Sequence, residues 1–597
     1  MHRLDEVHIE NFRSCAKCEV PLFQLTPIVG QNNAGKSNIL EAIKWVLRRR
    51  SLVEAEFHDP GAPVVVSTNI LGITEAVLDR VASKHRGRVN PLLRDGQLRV
   101  RRTQESPGVA ASKIKLEVFD PDPQVNDWVD NPGGIEEAIS ALFPEPIHIG
   151  AMENAAEDVA KSKAGTTIGK LIAELTGPIE TQHGGKIAKA LQAVRDLVEA
   201  EGSERAPEFQ EFDDGANEML NGIFPGVRVA VHVPAPELKE IFKAGTIRVY
   251  EGDGPAREVT SMGHGVQRSI QMALIRFLAK QKDGSPDGAT TTMLLIDEPE
   301  LYLHPQAVEA IRTSLEQLAK TSYQVVFTTH SAQMVGAGRA SNTLVVRKSV
   351  ETGTVVLPTL RAAMTQTLGD APHQAGVIFS LQHASDVLFA DRVVLMEGKT
   401  EKRLLPVIYE EIRSETPFEG LTAFVPIGDS GGLPKARGVL GALGIPHFTV
   451  TDLDFAFRVA TRAEILPDDH AALVACRHVL TQLEVAHELA LDGAGLPRKA
   501  NGVSAEQGFA KLAQHPDAQD AIAQLHAELL GQGIWIWSRG SIEHHLGLDG
   551  KKEAHWAAFE ERLYREGFRD AVADPESLIA MFTAVMDSSA IRGDALD

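Results

Sequence analysis

The octapeptide Gly30-Gln31-Asn32-Asn33-Ala34-Gly35-Lys36-Ser37 has the composition of a phosphate cradle. Its glycines let successive backbone N–H groups curl around an anion, Lys36 reaches the terminal phosphates, and Ser37 offers a hydroxyl to magnesium. Far downstream lies a second, acidic set: Glu397 beside Gly398, then the pair Asp452 and Asp454. Carboxylates are hard oxygen ligands for magnesium or manganese, and a group of them can hold two ions against a phosphodiester. The first set handles a nucleotide and the second suits metal-dependent chemistry on nucleic acid. Neither alone is specific; a chain that carries both is.

The elements that must position these residues are visible in the pattern. Val7 to Ser14 alternates as a strand, and Leu25 to Val29 is a short apolar strand running straight into Gly30. After Ser37, residues Ile39, Leu40, Ile43, Val46 and Leu47 keep helical spacing, so the glycine loop opens a helix whose N-terminus adds partial positive charge. Gly30, Asn33, Gly35, Lys36 and Ser37 are the expected ATP contacts. A second apolar strand, Thr292 to Ile296, ends in Asp297 and Glu298. Asp297 would hold magnesium with Ser37, and Glu298 would orient or deprotonate the attacking water.

The continuation Leu301-Tyr302-Leu303-His304-Pro305 resembles the D-loop of ATP-binding-cassette (ABC) ATPases. His330, at the end of the strand Val325 to Thr329, resembles the switch histidine of that superfamily. Ser261, Gly263 and Gly265 stand where its signature loop would be, although Ser-Met-Gly-His-Gly departs from the usual Leu-Ser-Gly-Gly-Gln. In that superfamily the loop caps a nucleotide held by a second P-loop. One copy of each element per chain therefore implies a homodimer or a higher even oligomer.

Much more chain separates Lys36 from Asp297 than a compact P-loop domain needs. Residues 152–222 read as helices broken at Gly184-Gly185, either a dimerisation insert or a helical lobe packed on its own domain. The ATPase parts are expected at 1–151 and 223–352, a connector at 353–390, and a separate parallel α/β domain with helical insertions at 391–597.

In that last region the strand Arg392 to Met396 delivers Glu397, and the following helix carries Glu401 in its first turn, where a solvated position is as good an account as a ligand. Strand Ala423 to Ile427 runs into a glycine-rich loop, and strand His447 to Thr451 delivers Asp452 and Asp454. Parallel strands share a C-terminal edge, so Glu397 and Asp452 can converge there. Residues two apart at a strand end face one way, so Asp454 can join Asp452.

Glu-Gly followed by Asp-x-Asp resembles the Toprim domain of topoisomerases, primases and certain nucleases, and Glu543 falls where nuclease-type Toprim domains place another acid. Those sites also imply a basic residue, for which Lys551, Lys552, Arg562 and Arg565 are equal candidates. His544 and His545 read as surface residues. An ABC-type ATPase followed by Toprim resembles the OLD (overcoming lysogenization defect) nuclease family over nearly the whole length. Length and the Glu397–Glu401 pair look more like its class 2 members, which are encoded beside a UvrD-like helicase and include Gabija nuclease subunits.

The resemblance implies a metal-dependent DNA endonuclease under nucleotide control, in anti-phage defence or DNA processing. Its catalytic and metal residues would be Glu397, Glu401, Asp452, Asp454 and Glu543, its cofactors ATP with magnesium and two Mg2+ or Mn2+ ions, and its partners DNA and such a helicase. The alternative is a nucleotide-switched DNA-binding ATPase of the RecF or SMC kind with a vestigial metal site.

Composition sets limits. With 597 residues, 43% of them hydrophobic and 24% charged, the chain is that of a multidomain globular protein. It has no apolar run of bilayer length and no signal-peptide core, so a cytoplasmic protein is expected. A net charge of −21 argues against indiscriminate coating of nucleic acid. The basic stretch from Arg80 to Arg102 is either a local DNA track or a charged hairpin edge. Of three cysteines, Cys15 and Cys18 form a lone Cys-x-x-Cys, expected to be reduced and packed in a strand rather than bound to zinc.

Overall fold

The computed structural model describes residues 2–79, 83–130, 135–143, 146–150, 167–243, 245–282, 291–335, 340–349, 352–368, 384–415 and 420–587. Strands β1 (Arg3–Phe12), β2 (Cys15–Pro21) and β3 (Leu25–Gly30) lead into helix α1 (Lys36–Leu47). Strands β4 (Val64–Leu71), β5 (Leu98–Gln104), β6 (Lys115–Asp120), β7 (Asp127–Asp130) and β8 (Ile147–Ile149) follow. After helices α2 (Thr167–Val198), α3 (Pro207–Asn221) and α4 (His264–Lys282) come β9 (Thr292–Ile296), β10 (Tyr323–Thr329) and β11 (Leu344–Ser349). The remainder alternates: β12 (Arg392–Met396), α5 (Lys399–Glu415), β13 (Thr422–Pro426), α6 (Leu433–Ala442), β14 (His447–Thr451), α7 (Ala505–Gln514), β15 (Ile534–Ile536), α8 (Ile542–Leu546) and α9 (Glu553–Glu566).

Two compact units result. One takes 1–26, 35–329 and 350–354, the other 27–34, 330–349 and 355–597. In the first, β7-β6-β5-β4-β1-β2 form an antiparallel series, with Ile9 opposite Cys18 and Phe12 opposite Cys15. Strand β4 alternates strictly, burying Val64, Val66, Thr68 and Ile70, as a strand covered on one face must. By contrast β10-β9-β8 are parallel, and every residue of β9 and β10 is buried. An unbroken apolar run such as Met293 to Ile296 suits a strand covered on both faces. Cys15 and Cys18 are free thiols, buried in β2.

Helix α2 runs unbroken through Gly184 and Gly185, contrary to the break expected there. Each glycine costs about 1 kcal/mol relative to alanine. That is too little to interrupt a helix of 32 residues, whose neighbouring turns keep their hydrogen bonds. The start of the expected insert, 152–166, lies outside the described residues, as do 369–383 of the expected connector.

The second unit pairs β3 with β11 in parallel, and holds the four-stranded parallel sheet β13-β12-β14-β15. Alternation along β12 divides its apolar side chains between two cores. Val393 and Leu395 join Val439 and Leu440 of α6, whereas Val394 and Met396 join Leu404 and Ile408 of α5. Helices thus cover both faces. Chain order reverses at β12, with β13 on one side and β14 on the other, so the sheet has its topological switch point at the C-terminal ends of β12 and β14. Such a crevice is where open α/β sheets bind ligands.

Candidate active sites

At the nucleotide motif, α1 starts at Lys36 with Gly35 as its left-handed N-cap, φ 102°. A Cβ on Gly35 would lie 2.0 Å from Thr354 Oγ1 and 2.7 Å from Ser14 Oγ, so only glycine fits. Ser37 Oγ donates to Asp297 Oδ2 at 2.6 Å, which brings the two expected magnesium ligands together. The other oxygen of Asp297 accepts from Thr328 Oγ1. The same hydroxyl accepts from Glu298 N at 3.0 Å, and Thr329 Oγ1 donates to Glu300 Oε1 at 2.6 Å. Thr328 and Thr329 thus orient acids that the sequence showed only as a strand end. Lys36 is buried, which lowers its pKa, while Glu298, Asp297 and Glu300 oppose the shift. Glu298 sits at φ 47° and Asn33 at φ 63°, in the left-handed region that non-glycine residues adopt uncommonly.

Ser261 and Gly263 are exposed, and Ser261 Oγ donates to Glu258 O at 2.7 Å. Gly265 lies in the first turn of α4, near the Tyr302 carbonyl. Buried Arg268 reaches the carbonyls of Asp297 at 3.3 Å and Glu298 at 3.4 Å, so this helix is fixed to the end of β9. His330 follows β10 directly and is exposed.

The acidic set converges at the switch point. Glu397 accepts from Thr451 Oγ1 at 2.6 Å, which ties the end of β12 to the end of β14. Glu543, in the first turn of α8, accepts from Thr400 Oγ1 at 2.5 Å. Glu401 is 3% exposed and folds back beneath Gly398, where a Cβ would lie 2.5 Å from its Oε2. The Glu-Gly pair is thereby explained: the glycine leaves room for the second glutamate. Lys551 stands among the acids, its Nζ 3.4 Å from Asp452 Oδ2, 3.3 Å from Glu506 Oε1 and 3.6 Å from Glu543 Oε2. Asp454 lies 3.7 Å from Arg458.

Packing so many acids together shifts their titration. Burial, then the charges of Glu543 and Glu397, raises Glu401 to about 7 despite Lys551. Burial and Glu401 hold Asp452 well above the usual aspartate range, and burial with Glu397 raises Asp454 to about 6. Burial alone would lower the pKa of Lys551, but Asp452, Glu543, Glu506 and Glu401 raise it, so it stays a cation. Asp452 Oδ1 and Glu543 Oε2 are buried without a hydrogen-bond partner. A folded protein leaves such oxygens unsatisfied at a cost of about 1–3 kcal/mol each, or more when charged. A divalent cation with oxygen preference fits this donor set.

Of the four basic candidates, only Lys551 reaches the acids. Arg562 donates to the carbonyls of Leu546 and Ala571, Arg565 pairs with Glu566, and Lys552 is the N-cap of α9. Glu506 was missed, because its helix α7 carries no pattern linking it to strand ends far away in sequence. His545 is a correction: it is 1% exposed, not at the surface. Its Nδ1 lies 2.9 Å from Asp574 Oδ2, while Arg539 N donates to its Nε2 at 3.2 Å. It fastens the short helix that bears Glu543.

The basic stretch resolves toward structure. Arg102 is buried and paired with Glu136 at 3.0 Å, Arg101 pairs with Glu117 at 2.6 Å, and Arg86 with Asp79 and Glu75. Arg99 stacks on Phe119 and Trp128. Arg80 and the side chain of Lys84 lie outside the described residues. Among the described residues, the group of three acids or histidines whose ligand atoms all lie within 4.8 Å of one another is Glu6, His8 and Glu19, on the β1–β2 hairpin and not buried. Exposed acids of that sort are ordinary surface.

Comparison with known proteins bears on both sites. The family model "AAA domain, putative AbiEii toxin, Type IV TA system" matches residues 25–335. The model "Overcoming lysogenization defect protein-like, TOPRIM domain" matches residues 388–454. The Old nuclease of Escherichia phage P2 is 37% identical over 564 residues, 93% of this chain and 94% of that protein. The OLD nuclease of Thermus scotoductus is 24% identical over 76% of this chain and 82% of its own length. Endonuclease GajA of Bacillus cereus is 22% identical over 76% of this chain and 75% of its own.

Proposed function

This chain belongs to the OLD nuclease family, and from that premise we propose a division of labour: the carboxylate cluster cuts DNA, and the nucleotide site governs the cutting. The protein is an ATPase-regulated Toprim DNA nuclease of a kind linked to phage defence. The observation that carries the assignment of residues is the cluster itself. Asp452 and Glu543 present buried oxygens without hydrogen bonds, and Lys551 is held within 3.6 Å of both acids as an ion-pair partner.

Glu397, Glu401, Asp452, Asp454 and Glu543 would hold two magnesium or manganese ions. Bound there, the ions supply a lowered water pKa and charge neutralisation of the phosphodiester. Thr400 and Thr451 fix the rotamers of Glu543 and Glu397, so the ligands are ordered before the substrate arrives. Lys551 holds a positive charge at the place where negative charge develops on the phosphate. Ser37 and Asp297 would share the magnesium of ATP, with Lys36 on its phosphates and Glu298 on the attacking water.

The domain reading is 1–151 and 223–352 for the ATPase, 152–222 for a dimerisation insert, 353–390 for a connector and 391–597 for the Toprim nuclease. Exposed Phe212 and Met219 on α3, with Ile223 and Phe224 just beyond it, support the insert as the meeting surface of two copies. Sedimentation of a Phe212→Glu/Met219→Glu double variant should show monomer; an unchanged dimer would refute the surface. The near full-length match at 37% is to the phage P2 protein, against 22% to GajA. Among the described residues no helix is long and apolar enough to cross a membrane.

Supercoiled plasmid incubated with Mg2+ or Mn2+, with and without ATP, tests the cutting. Wild type should give nicked or linear product and Asp452→Ala none. Absence of nicking by wild type under every nucleotide condition would overturn the nuclease assignment.

A further inference from the structure

The contacts around Asp391 suggest how the nucleotide site acts on the metal site. Within the second unit, Gln31, the second residue of the phosphate loop, donates its side-chain amide to Asp391 Oδ1. The other oxygen of Asp391 accepts from Leu421 N at 2.7 Å. Arg347, on the strand paired with β3, donates to Ala390 O at 2.8 Å and to Asp391 O at 3.3 Å. Asp391 immediately precedes β12, and Glu397 immediately follows it.

We propose that the Gln31–Asp391 hydrogen bond is a nucleotide-sensitive latch that transmits occupancy of the phosphate loop along β12 to Glu397. This deepens the reading of nucleotide control given above and rests on it. Backbone N–H groups of a phosphate loop must turn toward the anion they bind, so Gln31 cannot be indifferent to a triphosphate arriving beside it. The strand is a stiff connector of about 20 Å from Asp391 to Glu397, at roughly 3.3 Å per residue. Val29 and Val345 share a buried apolar cluster with Val393 and Leu395, so displacement of β3 cannot be absorbed by a loose interface. Asp391 is bound on both oxygens. Releasing Gln31 leaves its second carboxylate oxygen on Leu421, which gives the junction two arrangements that a nucleotide can choose between.

Two variants test the latch in the full-length protein. Asp391→Ala removes the acceptor, and Gln31→Glu sets two carboxylates against each other while sparing the Leu421 contact. Hydrogen exchange of the peptide covering 388–397 is followed with ATP or a non-hydrolysable analogue, beside ATP affinity and plasmid nicking. In wild type, nucleotide should change exchange there and the nicking rate by about fivefold or more, the ordinary size of an allosteric coupling. In both variants the two effects should vanish at saturating nucleotide, and Asp391→Ala, which lies outside the phosphate loop, should keep ATP affinity and nucleotide-free nicking near the wild-type values.

Wild-type exchange that ignores nucleotide, or variants that keep the full response, would overturn the latch. So would a response lost only because ATP no longer binds. Exchange is read without cleavage, so a nucleotide-sensitive β12 in a protein that nicks nothing would sink the nuclease assignment and leave the latch standing.

Discussion

Replacing Glu401 with glutamine should stabilise the metal-free protein and at the same time abolish its nuclease activity. Glu401 is 3% exposed, and burial beside Glu543 and Glu397 raises its titration from 4.5 to about 7. A carboxyl whose folded pKa is raised takes up its proton more readily when folded. Its penalty is therefore complete above pH 7 and absent below pH 4.5. At pH 8 a shift of this size destabilises the fold by on the order of 3 kcal/mol. Glutamine keeps the shape and carries no charge. For a domain of 150–250 residues about 3 kcal/mol corresponds to roughly 6 °C or more in Tm.

The assay is thermal unfolding of wild type and Glu401→Gln in EDTA from pH 8 to pH 5, repeated with Mg2+ or Mn2+. In EDTA the variant should melt higher at pH 8, and the gap should close as pH falls, because wild type recovers stability by protonation. Divalent metal should reverse the order at pH 8. Binding at 1,000 times Kd stabilises wild type by about 4.1 kcal/mol, more than the penalty of about 3 kcal/mol, and leaves a variant without its ligand behind. A variant no more stable than wild type at pH 8, or a gap equally wide at pH 5, would refute the claim that crowded acids strain the apo site.

Three further outcomes are expected. Asp452→Ala should lose plasmid nicking while binding ATP normally, and Lys36→Ala should weaken ATP binding, as equilibrium nucleotide titration will show; equal loss of ATP binding in both would refute separate sites. Lys551→Met should lower the single-turnover nicking rate by about 10²–10³, the usual cost of removing one electrostatic stabiliser, and Lys551→Arg should restore part of it. Metal affinity measured by titration calorimetry should fall between pH 7.5 and 5.5, because protons compete as Glu401 passes about 7 and Asp454 about 6; a pH-independent affinity would contradict their role as ligands.

Much of both sites was legible because their residues sit at element ends, where local pattern and chemistry coincide. Gly30 to Ser37 follows an apolar strand and opens a helix; Asp297, Glu397 and Asp452 each end one. The Gly184-Gly185 pair misled, since a local preference of about 1 kcal/mol per glycine is outweighed within a long helix. Lys551 could not be told from Lys552, Arg562 and Arg565 by spacing, and His545 is buried by packing that its neighbours in sequence do not announce.

The sequence by itself determined the two chemistries, because phosphate cradling and hard-metal ligation each require particular residue types beside particular strand ends. Only the tertiary structure decided which groups meet. The order β13-β12-β14-β15 sets Glu397 beside Thr451, folds Glu401 under Gly398, and draws Glu506, Glu543 and Lys551 from distant segments to one edge. The physical reason is range. Backbone preference acts over a few residues, whereas charge, desolvation and hydrogen bonding act through space, wherever the fold brings the groups together.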